Sequence, residues 1–573
     1  MALLLNGLRQ GLSCSIFIST VKTNKPCRLK CGTNKKYWSS AETFVSDSEN
    51  QNGQFYPVKF FTDYEQKLED VRKLLIKSRE EESLIFVDAI QRLGVGHHYQ
   101  EEIDTILTQN YVKTRDSIHG YHSLHDIALS FRLLRQRGYH GKDGRFRGKL
   151  RHDIRGLLEL YEATQISFEG ENILDEAQQF SSQLLYDLLP ADYTDCKWSN
   201  IVSTRLRYPY QKTITRMTEK NFLRDLESMD GWGKTLGELA KMDLLIGQSV
   251  YQEELLQVSK WWNDLGLTKE LKLARNQPIK WYTCSMAILI NDISLNVQRV
   301  QLSKSIAFIY LIDDIFDLYG TLDELAIFTD AIDKWDYASI DMLPDYMKAC
   351  YKTLLDTTNE IGHTILKKYG YNPINSLKQT WKNLCSAFLV EAKWFASGEL
   401  PSTEDYLANG KVSSGVHVVL VHLFFLLGLG GNNEGAISVN DTSKLISCVA
   451  AILRLWDDLG SAKDEHQNGN DGSYIECYMK DHPDLPYKQV RKHIINMIAI
   501  EWKRLNKECF NLNDDSSAIS SFQEASLNLA RMVTLVYSYD DNQRLPILEE
   551  YINLMLLNRT SLEQHQTKQE HVF

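Results

Sequence analysis

Apolar residues recur at three- and four-residue spacing along almost the whole chain beyond Tyr56. A representative stretch, 63–93, has them at Leu68, Val71, Leu74, Leu75, Leu84, Ile85, Val87, Ile90 and Leu93. This spacing puts the apolar side chains on one face of amphipathic helices. The chain has 11 prolines in 573 residues, which leaves room for long helices, and it lacks the sustained two-residue alternation that is typical of strands. We therefore predict an all-α fold. Within it, the sequence TLDE (321–324) after Gly320 predicts the end of one helix and the start of the next with a capping box.

The length and charge of the chain limit the classes of protein to consider. At 573 residues it exceeds what one hydrophobic core usually supports, so we expect two or more domains. The formal net charge of −11 argues against nucleic acid as a partner. The longest apolar run, 418–429, contains His422 and is too short to cross a bilayer, so no membrane span is predicted.

The first 52 residues have the composition of a targeting segment. Lysine and arginine are interspersed with serine and threonine before the first acidic residue, Glu42. A basic, hydroxylated and acid-free segment is typical of an organelle transit peptide, so we expect a plastid protein. A disordered tail on a cytoplasmic protein is the alternative. A secretory signal is disfavoured because the apolar stretches in this segment are short and broken.

Two short acidic stretches in the C-terminal half indicate a metal site. In the first, Asp313 and Asp317 stand at i and i+4, so on a helix both carboxylates leave one face, about 6 Å apart along the axis. In the second, Asp457, Ser461 and Glu465 fall at i, i+4 and i+8 and form a similar stripe. Hard oxygen ligands suit Mg²⁺, which binds few carboxylates and shares its other positions with water and phosphate. We expect the two stripes to face each other and to hold one diphosphate.

Acidic residues at this spacing often only cover a solvated helix face, and that alternative has to be weighed. Here the residues before each stripe, 305–312 and 449–456, are nearly all apolar. Carboxylates at the ends of buried helices are costly unless they bind a cation or form ion pairs. The flanking sequence therefore favours metal binding over a solvated surface.

From about Tyr56 to its C-terminus the chain resembles plant terpene synthases. The run DDIFDLYGTLDEL from Asp313 is similar to the aspartate-rich motif of that family, and LWDDLGSAKDE from Leu455 is similar to its second metal motif. In the N-terminal half, FRLLRQRGY (131–139) and RGLLELYEA (155–163) resemble the helical-barrel domain of the family. The resemblance implies an all-α chain of two helical domains.

The implied domain organisation has three parts. Residues 1–52 would be the transit peptide or a disordered segment, 53–265 an N-terminal α-barrel-like domain, and 266–573 a C-terminal class I terpenoid synthase helical bundle that binds metal. The expected cofactor is Mg²⁺, as three ions for which Mn²⁺ can substitute, and the expected partner is a prenyl diphosphate substrate. Both a monomer and a homodimer remain open.

The resemblance also assigns ligands to the three ions. Two ions would be held by the first stripe and the third by the second stripe, through Asp313, Asp317, Asp457, Ser461 and Glu465. Asp314 points off the first stripe, so we expect it to form a salt bridge or to support the ligands. The aspartate pairs of this chain lack the DxDD pattern, which implies that ionisation of the substrate, not its protonation, starts the reaction.

Two arginines are expected to bind the diphosphate. Arg454 stands one helical turn before Asp457, and a guanidinium can donate two parallel hydrogen bonds to phosphate oxygens. An ion pair between Arg454 and Asp457 or Asp458 is the alternative. Arg275 begins the segment that the family uses for the departed diphosphate.

An apolar cavity with aromatic walls would steer the resulting carbocation, because aromatic faces attract cations. The candidate residues are Trp281, Phe308 and Tyr537, with an ordinary place in the hydrophobic core as the alternative for each.

The chain departs from the cyclising members of the family at two motifs. Their Arg-x-Arg motif is Arg275-Asn-Gln277 here, and Trp38 has no tandem arginine ahead of it. Both differences, with the run RNQPIKWY (275–282), resemble the subgroup that makes acyclic terpene alcohols. With less positive charge to steer the diphosphate, isomerisation before ring closure is disfavoured and water can trap the cation at C3. Cys284 stands where that subgroup carries tryptophan.

The expected function is therefore Mg²⁺-dependent conversion of geranyl diphosphate to linalool, with farnesyl diphosphate to nerolidol as a second reaction. An acyclic olefin synthase (myrcene or ocimene) and a cyclic monoterpene synthase are the alternatives within the class. A chain-elongating prenyltransferase is disfavoured because Asp457-Asp458 is followed by Leu-Gly-Ser and not by a second DDxxD. A non-catalytic prenyl-lipid-binding protein is the alternative from another class, and the complete set of metal ligands argues against it.

Overall fold

Every regular element in the described part of the chain is a helix, so the predicted all-α fold is confirmed. The computed structural model describes residues 58–557, apart from 117–122, 140–152, 190–195, 218–221, 224–225, 227–230, 291, 432–437, 462–472, 511–516 and 539–544. The segment 1–52, predicted to be a transit peptide, lies outside the described residues.

The N-terminal half consists of helices of moderate length followed by one long helix. They are α1 (Val58–Lys77), α2 (Glu80–Arg92), α3 (Gln100–Asp116), α4 (Leu124–Gln136), α5 (Ile154–Thr164), α6 (Asn172–Asp187), α7 (Cys196–Arg207) and α8 (Trp232–Leu265).

The C-terminal half continues with helices that pack side by side. They are α9 (Leu267–Glu270), α10 (Pro278–Ile288), α11 (Asn296–Asp314), α12 (Leu322–Lys334), α13 (Asp345–Tyr369), α14 (Ile374–Ser397), α15 (Thr403–Ser413), α16 (Val416–Leu426), α17 (Ser443–Ser461), α18 (Tyr474–Asp481), α19 (Tyr487–Phe510), α20 (Ser517–Tyr537) and α21 (Pro546–Ile552). Short 3₁₀ or π turns also occur at Gly96–His98, Tyr210–Lys212, Ile293–Leu295, Ile315–Tyr319, Tyr337–Met342, Val439–Thr442 and Asn553–Leu557.

Helix α8 is 34 residues long and belongs to two hydrophobic cores. Its first part packs with α1–α4 through Leu236, Leu239 and Ala240. Its second part, from Tyr251 to Trp262, packs in the large core of the C-terminal half. The two helical domains therefore share this helix. The predicted boundary between residues 265 and 266 coincides with its end and stays a prediction.

Buried hydrogen bonds also join the two halves of the chain. The Gln211 side-chain amide donates to Asn506 Oδ1 at 3.0 Å, and Arg531 Nε donates to the Gln211 carbonyl at 2.9 Å. All three side chains are buried. Because a buried polar group without a partner is costly, these bonds fix how the N-terminal residues pack on α19 and α20.

The start of α12 shows that local sequence signals fix helix boundaries here. Thr321 caps the helix by accepting a hydrogen bond from the Glu324 backbone N–H, and the Glu324 side chain accepts one from the Thr321 N–H. This capping box satisfies two backbone donors that a helix end would otherwise leave unpaired. It was predicted from the sequence TLDE after Gly320 and is confirmed.

Among the described residues, one stretch is long and apolar enough to cross a membrane by length and composition. It runs from Thr403 to Leu426, and 78% of its most apolar 18-residue window is buried inside the protein. The stretch is also bent, because Gly415 between α15 and α16 has a φ of 75°. A Cβ atom at Gly415 would lie 2.8 Å from Ile309 Cγ2, so the bend allows α16 to pack closely on α11.

Candidate active site

The first acidic stripe lies at the end of the buried helix α11. Asp313 and Asp314 are 1% and 0% exposed, and Asp317 is partly buried. The expectation of a regular α-helix through Asp317 is wrong, because the chain becomes π-helical over Ile315–Tyr319. The Gly320 N–H donates to the Ile315 carbonyl, five residues back, at 2.9 Å. Four residues make slightly more than one α-helical turn and slightly less than one π-helical turn, so Asp313 and Asp317 still leave the same side.

Arg275 connects the loop before α10 to this stripe. Its Nη2 lies 2.5 Å from Asp313 Oδ2, and its Nε lies 2.8 Å from Asp314 Oδ1. The Arg275 backbone N–H donates to Asp314 Oδ2 at 2.7 Å. The salt bridge expected of Asp314 is therefore present. Nη1 of Arg275 is buried and has no hydrogen-bond acceptor among the described residues, so it can donate to a ligand.

The charge balance at this end of α11 is incomplete. Burial raises the pKa of Asp314 to about 6, the negative charge of Asp313 adds to the increase, and Arg275 only partly opposes it. One guanidinium thus faces two buried carboxylates. A site of this kind favours a further cation, because a buried carboxylate is costly unless it is compensated.

The second acidic stripe lies at the C-terminal end of α17, where Asp457 is 2% exposed and Asp458 is fully buried. Asp458 accepts hydrogen bonds from the Tyr406 hydroxyl at 3.1 Å and from the Tyr474 backbone N–H at 3.0 Å. These contacts fix the end of α17 against α15 and α18. The side chain of Ser461 and all of Glu465 lie outside the described part of the structure.

Asp457 and Asp313 lie close enough for each to affect the charge of the other. Burial raises the pKa of Asp457 above its usual range, and the negative charge of Asp313 raises it further. Asp313 and Asp457, far apart in sequence, therefore face a common region. The carboxylate oxygens of Asp313, Asp317 and Asp457 are hard donors at buried or partly buried helix ends, and such donors fit Mg²⁺.

Arg454 is held beside the second stripe by α14 and α15. Its Nη2 donates to Ser413 Oγ at 2.7 Å and lies 3.6 Å from Glu391 Oε1, and its Nε donates to the Gly410 carbonyl at 3.3 Å. Nη1 lies 4.0 Å from Asp458 Oδ1, so the alternative of an ion pair within α17 is present at long range. Nη1 is also buried without a hydrogen-bond acceptor among the described residues.

A small apolar cavity of about 30 Å³ lies among the helices that carry both stripes. Its wall includes residues of α10, α11, α16, α17 and α20, among them Cys284, Ile288, Ile306, Tyr310, Val419, Leu453, Met532 and Tyr537. Polar ligands thus lie at the helix ends and an apolar chamber lies between the helices. This is the order of polar and apolar groups that suits an anionic head group with a hydrocarbon tail.

Of the three aromatic candidates, only Tyr537 lines the cavity. Trp281 is fully buried against Trp262, with ring centroids 4.7 Å apart, and Phe308 packs against Trp261 at 6.0 Å. Trp281 and Phe308 are therefore core residues here, because their faces of α10 and α11 turn toward α8. That orientation depends on helix packing, which the sequence does not give.

Tyr310 was missed by the sequence reasoning. It lines the cavity, and its ring centroid lies 4.6 Å from the guanidinium carbon of Arg275. Its position one helical turn before Asp313 was the available signal, since the residue one turn away on a helix shares the same face.

One other group of possible metal ligands occurs in the described residues. His97, His98 and Asp243 of the N-terminal half have ligand atoms within 4.8 Å of one another. Asp243, however, already accepts a hydrogen bond from Tyr64 at 2.8 Å and pairs with Arg216. These contacts join Asp243 of α8 to Tyr64 of α1 and to Arg216.

Two family models match most of the chain. The family model described as "Terpene synthase family, metal binding domain" matches residues 263–504, and "Terpene synthase, N-terminal domain" matches residues 38–206. Tricyclene synthase 0e23, chloroplastic, from Antirrhinum majus is 59% identical over 508 residues, covering 86% of this chain and 87% of its own. An (E)-nerolidol synthase from Cannabis sativa, TPS18VF, is 47% identical over 502 residues, with 83% and 88% covered.

One of the solved structures that the chain resembles contains Mg²⁺ ions and a thiolodiphosphate. It is isoprene synthase from grey poplar leaves in complex with three Mg²⁺ ions and dimethylallyl-S-thiolodiphosphate. The two chains are 29% identical with a TM-score of 0.76, and the match covers 88% of this chain and 98% of the other.

Proposed function

Because the chain belongs to the plant terpene synthase family, we propose that it converts geranyl diphosphate to the acyclic alcohol linalool. Farnesyl diphosphate, giving nerolidol, is the second substrate in this proposal. The observation that carries the ionisation step is the pair of buried acidic stripes at Asp313 and Asp457, which influence each other across one site. A divalent metal is the cofactor of this family's metal-binding domain.

In this proposal the first stripe holds two Mg²⁺ ions and the second stripe holds the third. The ligands are Asp313, Asp317, Asp457, Ser461 and Glu465. When bound, the ions act as Lewis acids on the diphosphate and stabilise the charge that develops on the leaving group.

The other polar groups of the site position the diphosphate. Arg275 and Arg454 each have a buried Nη1 atom without an acceptor in the described structure, and each can donate it to a phosphate oxygen. The hydrocarbon tail occupies the cavity between α10, α11 and α20, where Tyr310 and Tyr537 present aromatic rings. Aromatic faces stabilise the allylic cation without reacting with it.

The proposal of an acyclic product rests on Gln277. Its neutral side chain stands two residues after Arg275, where cyclising members of the family carry a second arginine. Gln277 Oε1 is buried without a hydrogen-bond donor among the described residues, and the amide itself carries no charge. A less firmly held diphosphate favours capture of the allylic cation by water at C3 over isomerisation and ring closure.

A cyclic monoterpene is the second candidate product. It is favoured by the 59% identity to a protein named tricyclene synthase, which exceeds the 47% identity to the nerolidol synthase. An acyclic olefin would arise if the same cation lost a proton instead of adding water.

The test is incubation of the purified protein with Mg²⁺ and either geranyl or farnesyl diphosphate, followed by gas chromatography on a chiral column. We expect linalool as the main product of geranyl diphosphate. Mainly cyclic products would replace the proposal with the second candidate. Absence of turnover with both substrates would exclude the catalytic function.

Introducing positive charge at position 277 should shift the product. In Gln277→Arg we expect a higher cyclic fraction from geranyl diphosphate, because the diphosphate would be held closer to the cation. The increase should be modest, since cavity shape also decides whether the chain folds back on itself. Gln257→Arg, at an exposed position of α8, is the matched control. An unchanged product ratio in Gln277→Arg would contradict the role given to this position.

The protein is a plastid protein, as the basic N-terminal segment predicted and as the chloroplastic relatives support. Removal of residues 1–52 should leave an active enzyme, because this segment shows no helical periodicity.

A fluorescent protein fused behind residues 1–52 should enter plastids. A fusion in which the lysines and arginines of this segment are changed to glutamine should not. A uniform cytosolic signal from the first fusion would favour farnesyl diphosphate as the substrate.

A further inference from the structure

One face of α10 runs from the metal end of the site into the cavity. Cys284 and Ile288 line the cavity, and Lys280 lies on the same helix face one turn earlier, at i−4 from Cys284. The helix starts at Pro278, three residues after Arg275. Lys280 therefore lies between the loop in which Arg275 contacts Asp313 and the wall of the apolar cavity.

The Lys280 side chain is buried, with 6% of the residue exposed. Its Nζ lies 5.6 Å from the Tyr310 ring centroid, and the guanidinium of Arg275 lies on the same ring. Lys280 forms no ion pair or hydrogen bond with any described residue. The charge of Asp457 nevertheless acts on it, so its ammonium is within electrostatic range of the second stripe.

A buried ammonium without an anionic partner is costly. Burial lowers the pKa of Lys280 to about 8, which leaves the amine mostly protonated at neutral pH. Arg275, by contrast, already pairs with Asp313 and Asp314. Of Arg275 and Lys280, Lys280 is therefore the cation that an incoming anion would stabilise more.

We propose that Lys280 binds the diphosphate group of the substrate and supplies the positive charge that Gln277 lacks. This inference rests on the proposed function, since it is the diphosphate that brings the anion to this place. Lys280 is one helical turn beyond Gln277 on the cavity side, and an ammonium is a point charge that cannot form the paired hydrogen bonds of a guanidinium. The Lys280 ammonium therefore attracts the diphosphate without fixing its orientation, as a guanidinium would. The orientation of the diphosphate affects whether the product is acyclic or cyclic.

The experiment is calorimetric titration of the full chain with inorganic diphosphate in the presence of Mg²⁺. Lys280→Met keeps the length of the side chain and removes its charge. We expect affinity to fall by about tenfold or more, the usual effect of losing a hydrogen bond to a charged group. Lys280→Arg should keep most of the affinity. Lys272→Met, at an exposed position of the preceding turn, is the control and should bind like the wild type.

A double variant tests the substitution of one charge for the other. Adding Gln277→Arg to Lys280→Met should restore much of the lost affinity for inorganic diphosphate, because a guanidinium returns to the position that Lys280 replaces. A merely structural role of Lys280 would not be rescued in this way. Circular dichroism checks the fold of each variant, and Lys280→Gln takes the place of Lys280→Met if the latter loses helical signal.

Wild-type affinity in a folded Lys280→Met or Lys280→Gln variant would overturn the inference. An equal loss in Lys272→Met would also overturn it, because the effect would then be general. Turnover of geranyl diphosphate by the wild type is measured in parallel. If the wild type turns over geranyl diphosphate but the Lys280 variants bind inorganic diphosphate normally, the proposed function stands and the inference fails. Binding that depends on Lys280 without turnover of either substrate leaves the inference standing without the proposed function.

Discussion

Replacement of Asp313 or Asp457 by asparagine should lower turnover by a factor of about 10³ or more while leaving the helical content unchanged. Asparagine keeps the shape of the side chain and removes the negative charge that the proposed Mg²⁺ ions require. The loss corresponds to about 4 kcal/mol in the activation barrier, the scale expected when a metal-based stabiliser of developing charge is removed. Asp313 and Asp457 belong to different stripes, so either substitution alone should cause this loss of turnover.

The measurement is product formation at saturating substrate over a range of Mg²⁺ concentrations, with circular dichroism for the fold. Asp323→Asn is the matched control, because Asp323 lies on the exposed side of α12 shortly after the first stripe. Chelation of the metal should abolish wild-type turnover, and added Mg²⁺ or Mn²⁺ should restore it. Near-normal turnover in either variant would refute the two-stripe site.

The second large effect is expected far from the cavity, at Arg132 in α4. This side chain is 1% exposed, and it donates to Glu159 and Asp88, each at 2.6 Å. Burial alone would raise the pKa of Asp88, but the charges of Arg132 and Arg92 hold it below its usual value. Arg132→Met would leave two buried carboxylates short of a partner, which should lower the free energy of unfolding by about 3–5 kcal/mol.

Urea denaturation followed by circular dichroism measures this loss. Arg137→Met is the control, because Arg137 is a more exposed arginine just beyond the end of α4 that pairs with Asp104 at 3.2 Å. An exposed ion pair contributes about 0–1 kcal/mol, so the control should change little. Equal midpoints for the two variants would show that the buried network does not stabilise the domain.

The sequence was sufficient for features that depend on neighbouring residues along the chain. The spacing of apolar residues predicted the helices, and the TLDE pattern predicted the capping box at Thr321. The apolar runs before Asp313 and Asp457 predicted that both would be buried at helix ends, and both are. In each case the cause lies within a few residues of the effect.

Features that depend on packing between helices could not be predicted. The π-helical turn after Asp314 forms where Arg275, distant in sequence, holds that carboxylate. Trp281 and Cys284 lie one turn apart on α10, yet Trp281 packs against Trp262 of α8 and Cys284 lines the cavity. Only the position of α10 against its neighbours decides which face lines the cavity.

Because both hydrophobic cores share α8, the stability of the N-terminal half affects how well the whole protein performs. This holds although the proposed chemistry uses none of the residues of that half. A helix that must be intact in both halves makes their unfolding interdependent, so a ligand bound in the cavity also protects the other half by mass action. By the same coupling, a substitution in the N-terminal half alters output by changing the fraction of molecules that are folded. The substitutions that the N-terminal half tolerates are thus limited by how much free energy of unfolding the whole chain can lose. Destabilising substitutions in the cavity reduce the same free energy of unfolding.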